Sequence, residues 1–414
     1  MRRKILALGI FVAGCALALC LAIAHDYTKA LTEQSQGMAE PEPGARQPAT
    51  CKTDLASQLR RLDVPGLAVG IVKNGRVICT GVAGMANIEQ KKPVTADTLF
   101  MIASISKVVT ATALMQLQEE GKFKLDDDVN RYLPFRVSIP ESPASPITFR
   151  QLLTHTSSIR DNSTYINCPL SCDYGSELGD YVTRGADSPI PLADFTRGYL
   201  TPGGAYYDAD DNFDSDEPGT SSRYSNMGIV LAGYLVEVIS GVPFDKYCKD
   251  HIFTPLGMNN TSWRLAGIDQ SILAMPYDKD SSGFVPYGQF GEPDYPDGMV
   301  RTSVNELARF MIAYMQRGRF ENKQILKAGT VQEMLKSQTP LSSRQGLAWS
   351  SRSISRSSNG WKVWGHDGSD NGAGAKMWFD PDKKVGVILV TNGMWDEDRA
   401  STLFTTLFRE SDGY

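Results

Sequence analysis

Apolar and polar positions follow two different periods along this chain, and the two are segregated. Leu67 to Val72 is an apolar run, Asn74-Gly75 interrupts it, and Arg76 to Val82 resumes it. That order predicts a strand, a two-residue hairpin turn and a strand, because Asn-Gly accepts the positive φ angles of a tight turn. Toward the other end, Ala375 to Phe379 and Val385 to Thr391 flank a turn containing Pro381, and Trp361-Lys362-Val363-Trp364 precedes them as a further strand. Between about 101 and 340 the spacing becomes helical. Val108, Val109, Ala111, Leu114, Met115 and Leu117 lead to Gly121, and Ile229, Leu231, Leu235, Val238 and Ile239 lead to Gly241. Glycine at those places stops a helix.

This distribution predicts an α/β (α+β) fold. An antiparallel sheet would be built from both chain ends, about 52–100 and 345–408, and flanked by helices, with a mostly helical inserted part at about 101–340. The cleft between sheet edge and helical part is the expected site.

The first 51 residues have another character. Met1-Arg2-Arg3-Lys4 is basic and Ile5 to Ala24 carries no charge, so residues 1–24 read as a signal peptide or membrane anchor. Ala22-Ile23-Ala24 resembles a signal-peptidase site, and Val12-Ala13-Gly14-Cys15 resembles a lipobox. Each outcome places the body outside the cytoplasm, in a periplasmic or extracellular location, with the membrane touched only through this segment. Residues 25–51 hold Pro41, Pro43, Gly44 and Pro48 among polar residues and read as a flexible linker.

Composition is that of a globular protein, 42% hydrophobic and 21% charged. A net charge of -5 and a pI near 5.6 argue against a nucleic-acid partner. Outside the leader the cysteines are Cys51, Cys79, Cys168, Cys172 and Cys248. Cys168 and Cys172 bracket a short Pro-containing loop and could form a local disulfide, which fits an oxidising compartment, and the odd count leaves at least one thiol over. No histidine falls at zinc-ligand spacing from these cysteines, so no metal or other cofactor is expected.

Three short motifs carry the candidate chemistry. Ser104-Ile105-Ser106-Lys107 opens the first long helix, Tyr224-Ser225-Asn226 opens another, and His366-Asp367-Gly368 follows the strand at Trp361. A serine hydroxyl needs a base before it attacks. Serine and lysine three apart share a helix face, and burial would lower the Lys107 pKa so that it could serve as that base. The free N–H groups of a helix start suit an oxyanion. A phenol at Tyr224 could shuttle a proton, and a carboxamide at Asn226 could hold an amide. Singly, each motif has a bland reading: an exposed helix turn, a loop tyrosine with an asparagine cap, and a strand-end histidine. Their joint occurrence is what points to acylation and deacylation of a serine.

The same residues, with Thr98-Leu99-Phe100, GKFKLDDDVNRYLP from Gly121, LLTHTSS from Leu152, Pro218-Gly219-Thr220 and GHDGSDNG from Gly365, resemble the serine β-lactamase and penicillin-binding-protein superfamily. The branch is that of class C β-lactamases, D-alanyl-D-alanine carboxypeptidases and related esterases, and the resemblance spans residues 52–408 as one hydrolase domain. It implies Ser104 as acylated nucleophile and Lys107 and Tyr224 as proton carriers. Asn226 would bind the substrate amide, with His366, Gly368 and Ser369 on the substrate-binding strand. The N–H groups of Ser104 and Ser369 would form the oxyanion hole, and His155 would hold a loop. The substrate would be a small molecule or peptide: a cell-wall peptide, an ester or a β-lactam. His366 stands where many β-lactamases have lysine, which favours a D-alanyl-D-alanine carboxypeptidase-like peptidase, with a carboxylesterase or weak class C-type β-lactamase as alternatives. A member that binds peptidoglycan or β-lactams without turnover is the other class.

One stretch departs from the family pattern. Asn162 to Glu217 is long and ends acidic, with Asp208, Asp210, Asp211, Asp214, Asp216 and Glu217 close together. The ordinary reading is a solvated loop. A calcium loop is disfavoured because Phe213 stands where such loops want glycine. An acidic rim selecting cationic ligands is the third reading.

Overall fold

The computed structural model describes residues 48–162, 182–354 and 360–414. The leader, most of the linker, Cys168 and Cys172 lie outside the described residues. Seven strands make the main sheet: β1 (Ala49–Thr50), β2 (Gly66–Lys73), β3 (Arg76–Asn87), β4 (Ser350–Ile354), β5 (Trp361–Asp370), β6 (Ala373–Asp380) and β7 (Val385–Thr391). Their order across the sheet is β1-β3-β2-β7-β6-β5-β4, and Lys92–Pro93 beside β3 brings the count to eight. The chain ends meet where β2 pairs antiparallel with β7, Leu67 opposite Thr391. The sheet is mixed rather than purely antiparallel, because β1 runs parallel to β3.

Each residue of β7 is buried, and the reason is that both faces of the sheet are covered. Val385, Val387 and Leu389 join Leu67, Val69 and Ile71 beneath Leu55 and Leu62 of α1 (Leu55–Leu62) and Leu403, Phe404, Leu407 and Phe408 of α5 (Glu397–Glu410). Ile388 and Val390 belong to the core on the other face, which includes α2 (Ser106–Glu119), α3 (Asn226–Ser240) and α4 (Val304–Met315). Burying one such side chain contributes about 1.5–3 kcal/mol, so a strand apolar on both faces holds the centre of the sheet.

The hairpins form as their turn residues dictate. Asn74 and Gly75 have φ of 51° and 76°. Gly121 and Gly241 end α2 and α3 with φ of 75° and 71°. The middle of the chain is not purely helical. Phe100–Met101 pairs with Arg301–Thr302, and Tyr277–Asp280 pairs with Gly283–Pro286. Among the described residues no single helix is long and apolar enough to cross a membrane.

The observed disulfide joins Cys51 to Cys79 and staples β1 to β3. Nothing local along the chain marks this pair, since it depends on β1 lying alongside β3. Cys248 is a free, buried thiol.

Candidate active site

Ser104 sits in a single 3-10 turn, Ala103–Ile105, that runs straight into α2. Ala103 before it has φ of 44°, the left-handed region that a side chain disfavours. Neighbouring bonds hold this conformation. Ile102 N–H donates to the Val300 carbonyl at 3.0 Å, and Val300 N–H donates to Ser106 Oγ at 3.1 Å. The Ser104 turn is thus clamped to a segment nearly 200 residues away in sequence, as the 194-residue separation of Ser106 and Val300 shows.

Lys107 follows one turn later and is buried. Its Nζ donates to Ser104 Oγ at 2.8 Å, to the Asp297 carbonyl at 3.0 Å and to Asp297 Oδ2 at 3.0 Å. The expected drop in the Lys107 pKa is overturned. Burial does push it down, but the charges of Asp297 and Tyr224 and their hydrogen bonds push it up further, and the net is above the ordinary lysine value. Sequence reasoning passed over Asp297 because nothing local marks it; only the fold brings the Tyr295–Asp297 turn under α2.

Tyr224 is half exposed, at 47%. Its ring lies 5.1 Å from Lys107 Nζ, 4.5 Å from the His155 ring and 6.2 Å from the His366 ring. Ser225, and not Asn226, caps α3, accepting from Gly228 N–H at 2.8 Å. Asn226 is the first residue of the helix, and its side-chain oxygen is buried without a donor among the described residues. Asp161, also absent from the sequence reading, accepts from the N–H groups of Asn226 and Met227 at 3.0 and 2.9 Å. Those bonds suit the positive end of a helix, yet burial dominates and pushes Asp161 up to about 6. His155 has φ of 57°, accepts at Nδ1 from Ser225 N–H at 3.2 Å, and is held down to about 3, by burial first and then by the Lys107 charge.

His366 and Gly368, on β5, line the same cleft as Ser104. The His366 Nδ1 lies 2.5 Å from the Asp367 carbonyl. A carbonyl only accepts, so Nδ1 carries the hydrogen and Nε2 keeps its lone pair. Burial, then the Lys107 charge, lowers the His366 pKa to about 4 and leaves the ring neutral at pH 7. A Cβ at Gly368 would stand 2.3 Å from the Ile102 carbonyl oxygen. Glycine lets the strand pass against the residue before the nucleophile turn. Strand β4 begins opposite Gly365, so Ser369 lies at an open strand edge.

A cleft of about 710 Å³ opens along that edge. Ser104, Tyr224, His366, Gly368 and Ser369 line one side, and Arg352, Trp378 and Trp395 continue it past the edge. Asp367, on the far face of β5, accepts from Trp378 Nε1 at 2.6 Å and pairs with Arg352 at 3.0 Å and Lys376 at 3.2 Å. Lys107 is buried next to Ser104, and neither it nor Asn226 is among the residues that line the cleft. A nucleophile, a cation at hydrogen-bond distance from it, a phenol and an open strand edge around one cleft are the means for acyl transfer.

The acidic stretch is tied into the body. Asp208 Oδ1 accepts from the N–H groups of Asp210 and Asp211, Asp214 pairs with Arg160 and Arg223, and Ser145 donates to Glu217.

This fold is that of the β-lactamase family of serine hydrolases. The Beta-lactamase family model matches residues 52–407, and the chain belongs to that family. Protein flp of Staphylococcus aureus (strain MW2) is 27% identical over 264 residues, 63% of this chain and 47% of that protein. The chain therefore spans about half the length of such curated relatives. The octameric penicillin-binding protein homologue from Pyrococcus abyssi superposes with a TM-score of 0.65 and 26% identity, over 85% of this chain and 75% of that one. The D-amino acid amidase of Ochrobactrum anthropi SV3, solved with L-phenylalanine amide, superposes at 0.64 with 22% identity over 86% and 94%, a likeness of fold.

Proposed function

We propose that this protein is an exported hydrolase that works through an acyl-enzyme on Ser104, with D-alanyl-D-alanine carboxypeptidase-like peptidase activity. The observation that carries the reading is the 2.8 Å contact between Lys107 Nζ and Ser104 Oγ at the floor of an open cleft. Ser104 Oγ attacks the substrate carbonyl, the leaving group departs with the hydroxyl proton, and water releases the acyl group. The N–H groups of Ser104 and Ser369, both on the cleft wall, serve as oxyanion donors in this scheme. Tyr224 and Lys107 handle the protons, and the amide contact that the family resemblance gives to Asn226 requires its buried side chain, which does not line the cleft, to turn toward the substrate. A binding protein without turnover is disfavoured because Ser104, Lys107, Tyr224 and Asn226 are all present.

Two observations support the finer points. A neutral His366 provides no permanent cation for a β-lactam carboxylate, which favours peptide or ester turnover over rapid β-lactam hydrolysis. The Cys51–Cys79 disulfide and the basic, then uncharged, N-terminus support export to an oxidising compartment. Superfamily members of one fold take different acyl donors, so the substrate must be tested directly. Purified protein is incubated with D-Ala-D-Ala peptides, short-chain esters and a chromogenic cephalosporin. Release of D-alanine at the highest kcat/KM supports the proposal. Ester turnover without D-alanine release makes the protein an esterase, and an adduct without any turnover makes it a binding protein.

A further inference from the structure

Lys52, Lys73, Arg76, Lys362, Lys384 and Arg409 gather at one end of the main sheet. β2 ends at Lys73, β3 begins at Arg76, Lys362 is the second residue of β5, and Lys384 immediately precedes β7. The two hairpin turns touch there, Asn74 N–H donating to the Lys384 carbonyl at 2.9 Å. Lys73 Nζ donates to the Ser411 carbonyl at 2.9 Å and Lys52 Nζ to the Gly413 carbonyl at 3.2 Å, just past the end of α5, whose last turn carries Arg409. Lys73 is half-buried and the other five are exposed. Among the described residues none of the six forms an ion pair.

The carboxylates at this end do not balance them. Asp380 is buried and accepts from the N–H groups of Lys362, Asp382 and Lys383. Glu410 is half-buried and accepts from those of Lys52 and Thr53. Asp382 and Asp412 are the exposed acids. This end is therefore positive on a chain of net charge -5. The other end of the sheet, where Tyr277 N–H donates to the Asn392 carbonyl at 3.0 Å, bears Asp63, Glu89, Asp278 and Asp280.

A basic surface attracts any polyanion. Two further observations select a lipid surface. The first is where the chain comes in. Ala49 lies opposite Cys79 and β1 runs parallel to β3, so the chain reaches the body from the end at which β3 starts with Arg76. Both readings of residues 1–24, signal peptide and anchor, deliver it to a membrane. The second is Tyr414, 37% exposed at the same end, with Lys52 Nζ 4.5 Å from its ring centre. An aromatic ring with a polar tip suits the headgroup layer.

We propose that this end of the sheet docks on the surface of an anionic phospholipid bilayer. The cations lie against the headgroup phosphates, where each Lys or Arg strengthens binding about fivefold. Docking also sets the direction of the cleft. β5 starts beside Lys362 and reaches Ser369 seven residues later, about 24 Å away at ~3.4 Å per residue. α5 likewise runs from Glu397, on the cleft wall, to Arg409. The cleft is thus held clear of the lipid and open to substrate on the far side.

The test is lysine footprinting of the full-length protein with a water-soluble amine-acylating reagent, read by peptide mass spectrometry. It is run without lipid, with phosphatidylcholine vesicles and with phosphatidylglycerol vesicles. Lys52, Lys362 and Lys384 should be modified several-fold more slowly on phosphatidylglycerol alone, while the exposed Lys91 and Lys279 near the other end keep their rates. Salt at about 0.5 M should remove the protection. The triple variant Arg76→Gln, Lys362→Gln, Lys384→Gln should bind phosphatidylglycerol vesicles roughly a hundredfold more weakly at low salt, with the thermal melt of wild type. Equal protection on both lipids, or protection of Lys91 and Lys279 instead, overturns the proposal. So does equal protection by soluble polyphosphate, which would make the end a general polyanion site. Should the variant not fold, the wild-type comparison of the two lipids decides.

Discussion

Ser225 donates its backbone N–H to Nδ1 of His155 across 3.2 Å, and this bond ties the Leu152–Ser158 string to the Tyr224–Asn226 motif. His155 must be neutral at Nδ1 to accept it. The His155 ring also packs 4.5 Å from the Tyr224 ring. Protonating His155 therefore breaks a contact that orients a candidate proton carrier.

That arrangement gives stability a definite pH dependence. His155 and His366 have folded pKa values of about 3 and about 4, below the usual 6.5. In that interval the unfolded chain binds protons that the native state refuses, so their contribution is complete above about 6.5 and is lost as pH falls toward those values. Asp161 and Asp370 act oppositely. Their pKa values rise from 3.8 to about 6, so their contribution is present below 3.8 and lost as pH rises through about 6. Glu292, raised by burial, acts with the two aspartates, so the histidine contribution is read as the difference between wild type and His155→Gln. The variant should lose less stability than wild type does as pH falls from about 6.5; identical pH dependence in the two counts against His155 as a source.

Ser104→Ala should abolish turnover while the melting temperature stays within a few degrees of wild type, because the serine side chain contributes little packing. Intact-mass spectrometry should show one acyl adduct on wild type and none on the variant. An adduct that persists on another residue defeats the assignment.

Gly368→Ala should lower kcat/KM by about a hundredfold, since the added Cβ would meet the Ile102 carbonyl at 2.3 Å and push the strand edge off the nucleophile turn. Steady-state kinetics with the best substrate of the panel measures it. Wild-type kinetics in this variant would show that the close approach is dispensable.

His366→Lys should raise β-lactam hydrolysis relative to ester or peptide turnover by supplying the permanent cation that a neutral imidazole lacks. The ratio of the two kcat/KM values is the readout. If neither His366→Lys nor His366→Ala alters it, His366 is a structural strand residue.

Replacing Cys51 and Cys79 together by serine should destabilise the protein by about 3–4 kcal/mol, the loop-closure value for cysteines separated by 28 residues. Denaturant unfolding measures it, and peptide mapping without reduction should recover the Cys51–Cys79 pair. Equal stability of the double variant would make the disulfide incidental.

The sequence by itself determined the elements and three segments of the candidate site. Asn74-Gly75, Gly121 and Gly241 act through local backbone freedom, and the apolar periods of Leu67–Val72 and Val385–Thr391 act through burial, so these parts are readable one residue after another. Ser104 and Lys107 share a helix face for the same local reason, and the sheet drawn from both chain ends follows from where the strand-like runs lie. Only the tertiary structure decided the rest. Asp297 reaches Lys107 across 190 residues, Asp161 reaches the start of α3 across 65, and Cys79 meets Cys51 only once β1 lies parallel to β3. The Lys107 pKa illustrates the difference: local reasoning supplied the burial that lowers it, but the carboxylate that reverses the sign comes from a segment with no sequence signal. Contacts whose strength falls with distance in space, and not along the chain, cannot be read until the chain is folded.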